Sequence, residues 1–564
     1  MRSYFLPTAV LVCALAAVAV SSPAWADPPW RSSLYPETWA PGYRDDAGRF
    51  LQDFSYAGYH RGEQPLPPID DASGPVIDVT QPPFLADPSG ASDSTMAIRE
   101  AIHAAGKHGG GVVFLPAGTY LVSPQSAEEK AALYLDRPGV ILRGEGPYST
   151  FIFNTETSMR VRNVIRMAPH EIRDEDFAWR LNVGEPSYSL TADAKEMETV
   201  LSVEGGDFTP GDWVVVLSDA TDAFIADHNM TGTWTSEGVG GVTFYRRVVA
   251  VDRAAGTIAI DIPIRYPLLQ RDNARVTRTT PHIEEVAVEN LSIGMKEITY
   301  GSMGDNDWDV PGTGAYDAHA SSLVEVNHVV NGWIRNIRSF RHWENNSYHF
   351  LSTGVRIRFA RSITVEDVDL RDSQYHGAGG NGYHFSIQGS DNLVTSCSSR
   401  NARHNYTIAL IAATGNVIHS STAYNGRFPV DFHMHLSPAN LIDSMVLDED
   451  GIEATDRFHA DHGFGTTQSV LWNTRGDTEG WEVDLGFKKL IRTAQFGWGY
   501  VIGTSGYDNA VEQPGHNHAL PDDFIEGRGQ GADLIPQSLY ESQLQRRLSV
   551  QAPRQSRTPR RLHP

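Results

Sequence analysis

Trp333–Ile337 (WIRNI), Ile363–Val368 (ITVEDV), Leu393–Ser399 (LVTSCSS), Val417–Ala423 (VIHSSTA), Leu441–Leu447 (LIDSMVL) and Ser469–Trp472 (SVLW) are six versions of one unit. Each begins near an Asn, Gly, Ser or Gln and continues with Val, Ile or Leu. Most then pass into a stretch rich in His, Asn, Arg, Asp and Tyr. The starts lie roughly 24 to 30 residues apart, the repeat range of stacked solenoid coils. A single coil cannot bury its own apolar face. Stacking buries it, and polar side chains at equivalent positions then form a column on the outside.

Outside this block the pattern changes by region. Arg2, the apolar run Ala9–Val20 and Ala24-Trp25-Ala26 form a secretory leader, so 1–26 is expected to be removed. The apolar run is short for a bilayer span, and a soluble, exported chain without a membrane span is expected. Residues 27–75 read as an N-terminal arm, 76–180 as a cap helix with the first coils, and 181–275 as a small inserted β-domain. In the insert, Thr199–Val203, Trp213–Leu217, Val242–Val251 and Thr257–Ile262 read as strands. Residues 276–550 carry the main coils and a closing segment, and 551–564 a disordered basic tail.

In the cap region, Ser92-Asp93-Ser94 precedes a helix whose apolar face is Met96, Ile98, Ala101, Ile102 and Ala105. Gly109–Gly111 ends it. A strand from Val112 and the turn Pro116–Tyr120 follow. The stretch DSTMAIREAIHAAGKHGGGVVFLPAGTYLV (93–122) resembles the opening of pectate-lyase-like proteins, and GVILRGEGPYSTFIF (139–153) resembles their second coil. This resemblance implies an all-β fold, a right-handed parallel β-helix, and glycans as the substrate class. Leu85–Gly90 departs from the Gly-rich run that many relatives carry before the helix.

Composition narrows the function. A net charge of -23 argues against nucleic acid as a partner. It also opposes an anionic polymer at long range, although a local Arg and His groove acts inside the ~8 Å screening length. Cys13 leaves with the leader, so Cys397 stands alone in the mature chain, without a disulfide or a Cys-type metal cluster. It reads as a small buried hydrophobe. No cofactor is expected. Asp305–Asp309 has the composition of a calcium loop but lacks the Gly and distant Glu of an EF-hand. His433-Met434-His435 lacks an identifiable third metal ligand.

The stretches after the repeat strands carry the candidate chemistry. They are Arg341–Asn346, Asp372–His376, Arg403–Tyr406, Asn425–Arg427 and Asp431–His435. Coils rise by about 4.8 Å, so these clusters are expected to line one furrow. β-Elimination from a uronate needs a base for the proton α to the carboxylate, a group that stabilises the resulting anion, and an acid for the leaving oxygen. His404 reads as the base with His376 as the second candidate, Tyr406 as the acid and Arg427 as the carboxylate clamp. Asp431 and His433 would orient them. Glu344, Trp343, Asn405, Arg403 and Tyr375 read as substrate-binding. Hydrolysis would instead use paired carboxylates among Glu344, Asp372, Asp431 and Asp461. A non-catalytic glycan-binding surface protein is the third reading, and the chain is expected to be a monomer.

Overall fold

The computed structural model describes residues 29–70, 74–174, 183–279, 282–457, 461–478, 489–514 and 520–551. The leader and, beyond residue 551, the basic tail lie outside the described residues. The chain forms a right-handed parallel β-helix with three ladders of strands. One turn runs Tyr383–Ser390 on the first ladder, Leu393–Thr395 on the second and Ser398–Arg400 on the third, and returns to the first at His404–Ile408. Successive coils pair in parallel on every ladder. The second and third ladders form one sheet, because strands such as Ala287–Met295 and Thr364–Arg371 continue around the corner between them.

That corner needs left-handed backbone. Asn290, Asn336, Asp367, Ser396, Ser420, Ser444 and Asn473 occupy it in successive coils, with φ between 46° and 63°. Short polar side chains that bond locally tolerate this region best, and Asn336 Nδ2 donates to Asn290 Oδ1 at 2.7 Å. Each repeat unit read from the sequence is therefore a bent pair of strands rather than one straight strand.

The corner between the first and second ladders holds Asn392, Asn416 and Asn440, all buried. Asn416 Nδ2 donates to Asn440 Oδ1 at 2.9 Å and to the Gly389 carbonyl at 2.8 Å. Its own Oδ1 accepts from the backbone N–H and Nδ2 of Asn392. An amide offers donor and acceptor on one short stem, so it joins each coil to the next where the backbone turns away from its ladder.

The interior is a set of aligned apolar rows. Val365, Val394, Ile418, Ile442, Leu471 and Val501 stand in register on the second ladder, each almost fully buried. Burying one such side chain is worth about 1.5–3 kcal/mol. Cys397 is buried in the same core. The helix Thr95–Lys107 closes the N-terminal end with Ile98, Ala101, Ile102 and Ala105. Met96, read from the sequence as part of that face, is 51% exposed, because it lies in the first turn on the far side of the stripe.

Two additions cover the body. Leu34, Tyr35, Trp39 and Phe54 of the arm, with Leu539 and Tyr540 of the helix Leu539–Gln551, pack on the outer side of the second ladder against Val417, Leu441, Val470 and Trp472. The insert forms a six-stranded antiparallel sheet from Val183–Ser189, Val200–Ser202, Trp213–Leu217, Thr243–Asp252, Thr257–Ile260 and Arg275–Thr279. Its core continues into Ile411, Leu436 and Phe464 of the coils. Asp391 clasps it, accepting from Arg246 at 2.9 Å and Arg265 at 2.7 Å, with all three side chains buried.

Asn416→Ala should lower the urea midpoint of the β-helix. The substitution removes the partner of the Asn392 backbone N–H and the side-chain donor to the Gly389 carbonyl, at ~1–3 kcal/mol per buried group, while Asn392 Nδ2 keeps the Ala360 carbonyl. A loss below about 1 kcal/mol would mean the amide column does not bear on stability.

Candidate active site

On the first ladder, the inward positions are apolar and the outward ones polar. Arg166, Glu325, Arg356, Ser386, Thr407, Asp431, Glu453, Arg492 and Glu512 face outward in one register row. Charges of both signs occupy this row, and Glu325 and Glu453 are paired with arginines of neighbouring coils. Arg166 and Arg356 flank Glu325, and their guanidiniums, with that of Arg358, outweigh burial and hold its carboxyl below the usual range.

The row has one convergence point. Asp431, on the strand Val430–Phe432, is 1% exposed. Its Oδ2 lies 2.8 Å from His433 Nδ1 and is paired with Arg457. Its Oδ1 accepts from Thr407 Oγ1 and lies 3.6 Å from His404 Nδ1. Burial alone would raise its pKa, but His404, His433 and Arg457 together hold it well below the usual carboxylate range. The Asp431 carboxylate therefore stays ionised and, with Arg457 Nη1 at 2.7 Å from the same ring nitrogen, holds the Nδ1 edge of His433. The Tyr383 hydroxyl lies 3.2 Å from Nε2 of the same ring. Arg403 Nη1 donates to the same hydroxyl at 3.1 Å.

These groups are held in complementary protonation states. Burial lowers the His433 pKa, and Arg457 opposes the charged form further while Asp431 favours it. The ring is neutral at neutral pH. Burial raises the Tyr383 phenol, with Asp431 acting in the same sense and Arg403 against it. A neutral imidazole and a protonated phenol are thus in direct contact. Arg403 lies over the Tyr383 and Phe428 rings and forms no ion pair among the described residues. Side walls come from elsewhere in the chain. His462 packs 4.9 Å from His433, and Trp234 of the insert donates to the His462 carbonyl and meets His435 edge-on. On the opposite side, Arg427 is bound to Asp305 and to the His376 carbonyl.

The residues read from the sequence therefore separate. His404, Asp431, His433 and Arg403 converge. His404 is fully buried beneath the cluster, with Nδ1 2.6 Å from the Pro429 carbonyl, so it supports Asp431 and has no approach to a substrate proton. Tyr406 points inward, stacks on Phe385 at 4.7 Å and donates to the Thr422 carbonyl. It is a core residue, because the strand His404–Ile408 turns that position toward the interior. Tyr375 is buried, and its hydroxyl meets the Gly304 and Asp305 carbonyls. Arg427 is paired with Asp305, the first carboxylate of the acidic stretch Asp305–Asp309.

His376 and Asn405 belong to a buried chain of hydrogen bonds. It runs from Asp450 through Asn405, Ser399, His384 and Ser373 to His376, with links of 2.5–3.1 Å. Burial raises Asp450 to about 7 and lowers His376 to about 4. Trp343 and Glu344 line a separate groove with Phe151 and Phe153, against the third ladder. Sequence reasoning missed Tyr383 and Arg457. Tyr383 pairs in register with His404, and aligning the strand starts by coil would have found it. Arg457 is delivered by the local hairpin Asp456–Arg457 with Gly463–Phe464, which the repeat does not announce.

The family model for rhamnogalacturonase A/epimerase, pectate lyase-like, matches residues 83–194, in line with the resemblance of the cap region. The mannuronan C5-epimerase AlgE1 of Azotobacter vinelandii is 42% identical over 80 residues, which are 14% of this chain and 6% of that protein. The chain thus spans a small part of the curated relative it matches. Among solved structures, the gp54 tailspike of Acinetobacter baumannii bacteriophage AP22 has 11% identity and a TM-score of 0.44, over 80% of this chain and 69% of its own. The endo-xylogalacturonan hydrolase of Aspergillus tubingensis has 10% identity and a TM-score of 0.36, over 81% and 100%.

The charge balance of the cluster predicts a titration. His433 should titrate below 6.5 in histidine-ring NMR. In Asp431→Asn it should titrate lower still, because the carboxylate is what favours the imidazolium. An upward shift in that variant would mean Asp431 does not face the ring.

Proposed function

We propose that this protein abstracts the C5 proton of a uronate residue in an acidic polysaccharide and eliminates the 4-O-linked sugar. The observation that carries the reading is the contact between neutral His433, oriented by ionised Asp431, and protonated Tyr383, beside unneutralised Arg403. In this reading His433 Nε2 takes the proton α to the carboxylate, and Arg403 binds that carboxylate and stabilises the anion. The electron pair forms the C4–C5 double bond as the C4–O4 bond breaks. Tyr383 gives its phenolic proton to O4. The Tyr383–His433 hydrogen bond then returns the proton from the imidazole to the phenolate. No proton is gained or lost over the cycle.

Two alternatives are less well supported. Hydrolysis needs a carboxyl group held protonated and facing the sugar. Asp431 is pinned in its ionised form, and Asp450, whose pKa is raised, is sealed beneath the surface. Epimerisation needs proton return from the opposite face of the sugar, whereas His433 and Tyr383 lie on one side. The relative named as an epimerase makes this the outcome to separate experimentally. A polymeric substrate also suits the leader read at 1–26, and the described residues contain no helix long and apolar enough to cross a membrane.

The purified chain should be incubated with a panel of polyuronates in D2O. Ultraviolet absorbance of unsaturated uronate ends is expected. Deuterium at C5 with inverted configuration and no new ends would replace elimination by epimerisation, and reducing ends without absorbance would indicate hydrolysis. His433→Ala and Tyr383→Phe should each lower kcat by about 10²–10⁴-fold with binding retained. Unchanged kcat in both would remove the assignment.

The pH profile follows from the same pair. His433 must be neutral, and its pKa lies below 6.5. Tyr383 must be protonated, and its pKa lies above 10. The rate should be flat between about pH 6.5 and 10, falling on the acid side as His433 protonates and on the alkaline side as Tyr383 ionises. Tyr383→Phe should lose the alkaline limb from whatever activity remains.

A further inference from the structure

The three ladders are covered unequally. The first carries the reaction cluster, and the second is sealed by the arm and the C-terminal helix. The outer face of the third carries no such cover among the described residues, yet its side chains are not those of an ordinary wetted sheet. At its N-terminal end Phe151, Phe153, Phe340, His342 and Trp343 line a groove of about 470 Å³. His342 stacks on Phe153 at 3.9 Å, and Phe340 meets Phe151 at 5.0 Å. Trp343 stands at the rim, 5.2 Å from His342 and 83% exposed.

Gly294 is part of this arrangement. It pairs with Phe153 in register, and a Cβ there would come within 2.7 Å of the Phe340 carbonyl and 3.0 Å of its ring. Its bare backbone admits the Phe340 ring beside Phe153, 6.2 Å away. Exposed cations border the rings. Lys296 and Arg341 line the same groove, together with the single carboxylate of Glu344. Further along, Arg371, which is paired with Asp369, and Arg400 stand in register and are exposed, and Arg400 lies 4.2 Å over the Tyr424 ring of the next coil. From Phe153 to Tyr424 the line advances five coil steps, about 24 Å at 4.8 Å each.

Flat rings present their faces to the C–H surface of a sugar, and guanidinium pairs with carboxylate. A row of both, running along the axis of an otherwise acidic molecule, matches an extended anionic polymer in shape and charge. We infer that the outer face of the third ladder is a second binding site for an acidic polysaccharide, separate from the reaction groove and anchored on Trp343 and Arg341. The inference rests on the reading above for the identity of the polymer. It places a second stretch of that polymer on this face while the reaction proceeds on another.

Trp343→Ala and Arg341→Gln test it, since both side chains are exposed and neither belongs to the reaction cluster. Binding of long polygalacturonate and polymannuronate is measured by calorimetry in a His433→Ala background, where turnover is suppressed. Each substitution should weaken binding about tenfold. In the active enzyme it should raise KM for the long polymer by a similar factor, leaving kcat and the kinetics on a trisaccharide unchanged. Equal binding by the variants and their parent would overturn the inference, and so would an equal loss on trisaccharide. Equally tight retention of a neutral glucan would overturn the acidic class. Weaker polyuronate binding by the variants, in a protein that turns over no uronate, would uphold this site and refute the reaction.

Discussion

Parallel stacking in strict register is the constraint on which the molecule depends. Each coil can hydrogen-bond only to the coils above and below it, so a side chain chosen once is repeated as a row. Apolar rows make the core, amide rows make one corner, and left-handed polar residues make the next. A row of polar and charged side chains along one flat face follows from the same rule. Such a row would be neutral and inert if continued evenly. It becomes a site where an excursion from the repeat, the hairpin that carries Arg457, breaks the pairing pattern next to Asp431 and His433.

The repeat made the second and third ladders legible. Leu393–Ser399, Val417–Ala423 and Leu441–Leu447 have alternating apolar residues and short polar residues at the bend, so composition and spacing betray them. The first ladder was harder to read. Tyr383–Ser390 and His404–Ile408 are rich in His, Asn, Ser and Gln, and look like loops until their parallel partners are known. Their strand character comes from neighbouring coils, not from local alternation. For this reason Tyr406 reads as an acid from the sequence alone. Without knowing which residues of that strand face inward, a phenol in a polar stretch looks available, whereas stacking with Phe385 makes it core.

The candidate site was legible in part for the same reason. Asp431 and His433 lie two apart on one short strand segment, a spacing visible in the sequence. Tyr383 comes from two coils earlier and Arg457 from one coil later. Trp343 and Glu344 read as neighbours of the cluster because they follow a repeat strand at the same offset. The structure sets them against a different ladder, where the connection between the third and first ladders begins. Offset from a strand fixes the coil, but the length of that connection decides which side of the solenoid a residue reaches.

The buried chain from Asp450 to His376 changes how the solenoid should come apart. A stack of coils held only by nearest-neighbour ladders resembles a zipper and can fray one turn at a time. Here Asp450, Asn405 with Ser399, His384 and Ser373 with His376 are threaded through successive layers behind the reaction face. Opening one layer would strand a polar group in a dry interior. These turns consequently melt as a single block, and the groove they support is lost or kept whole.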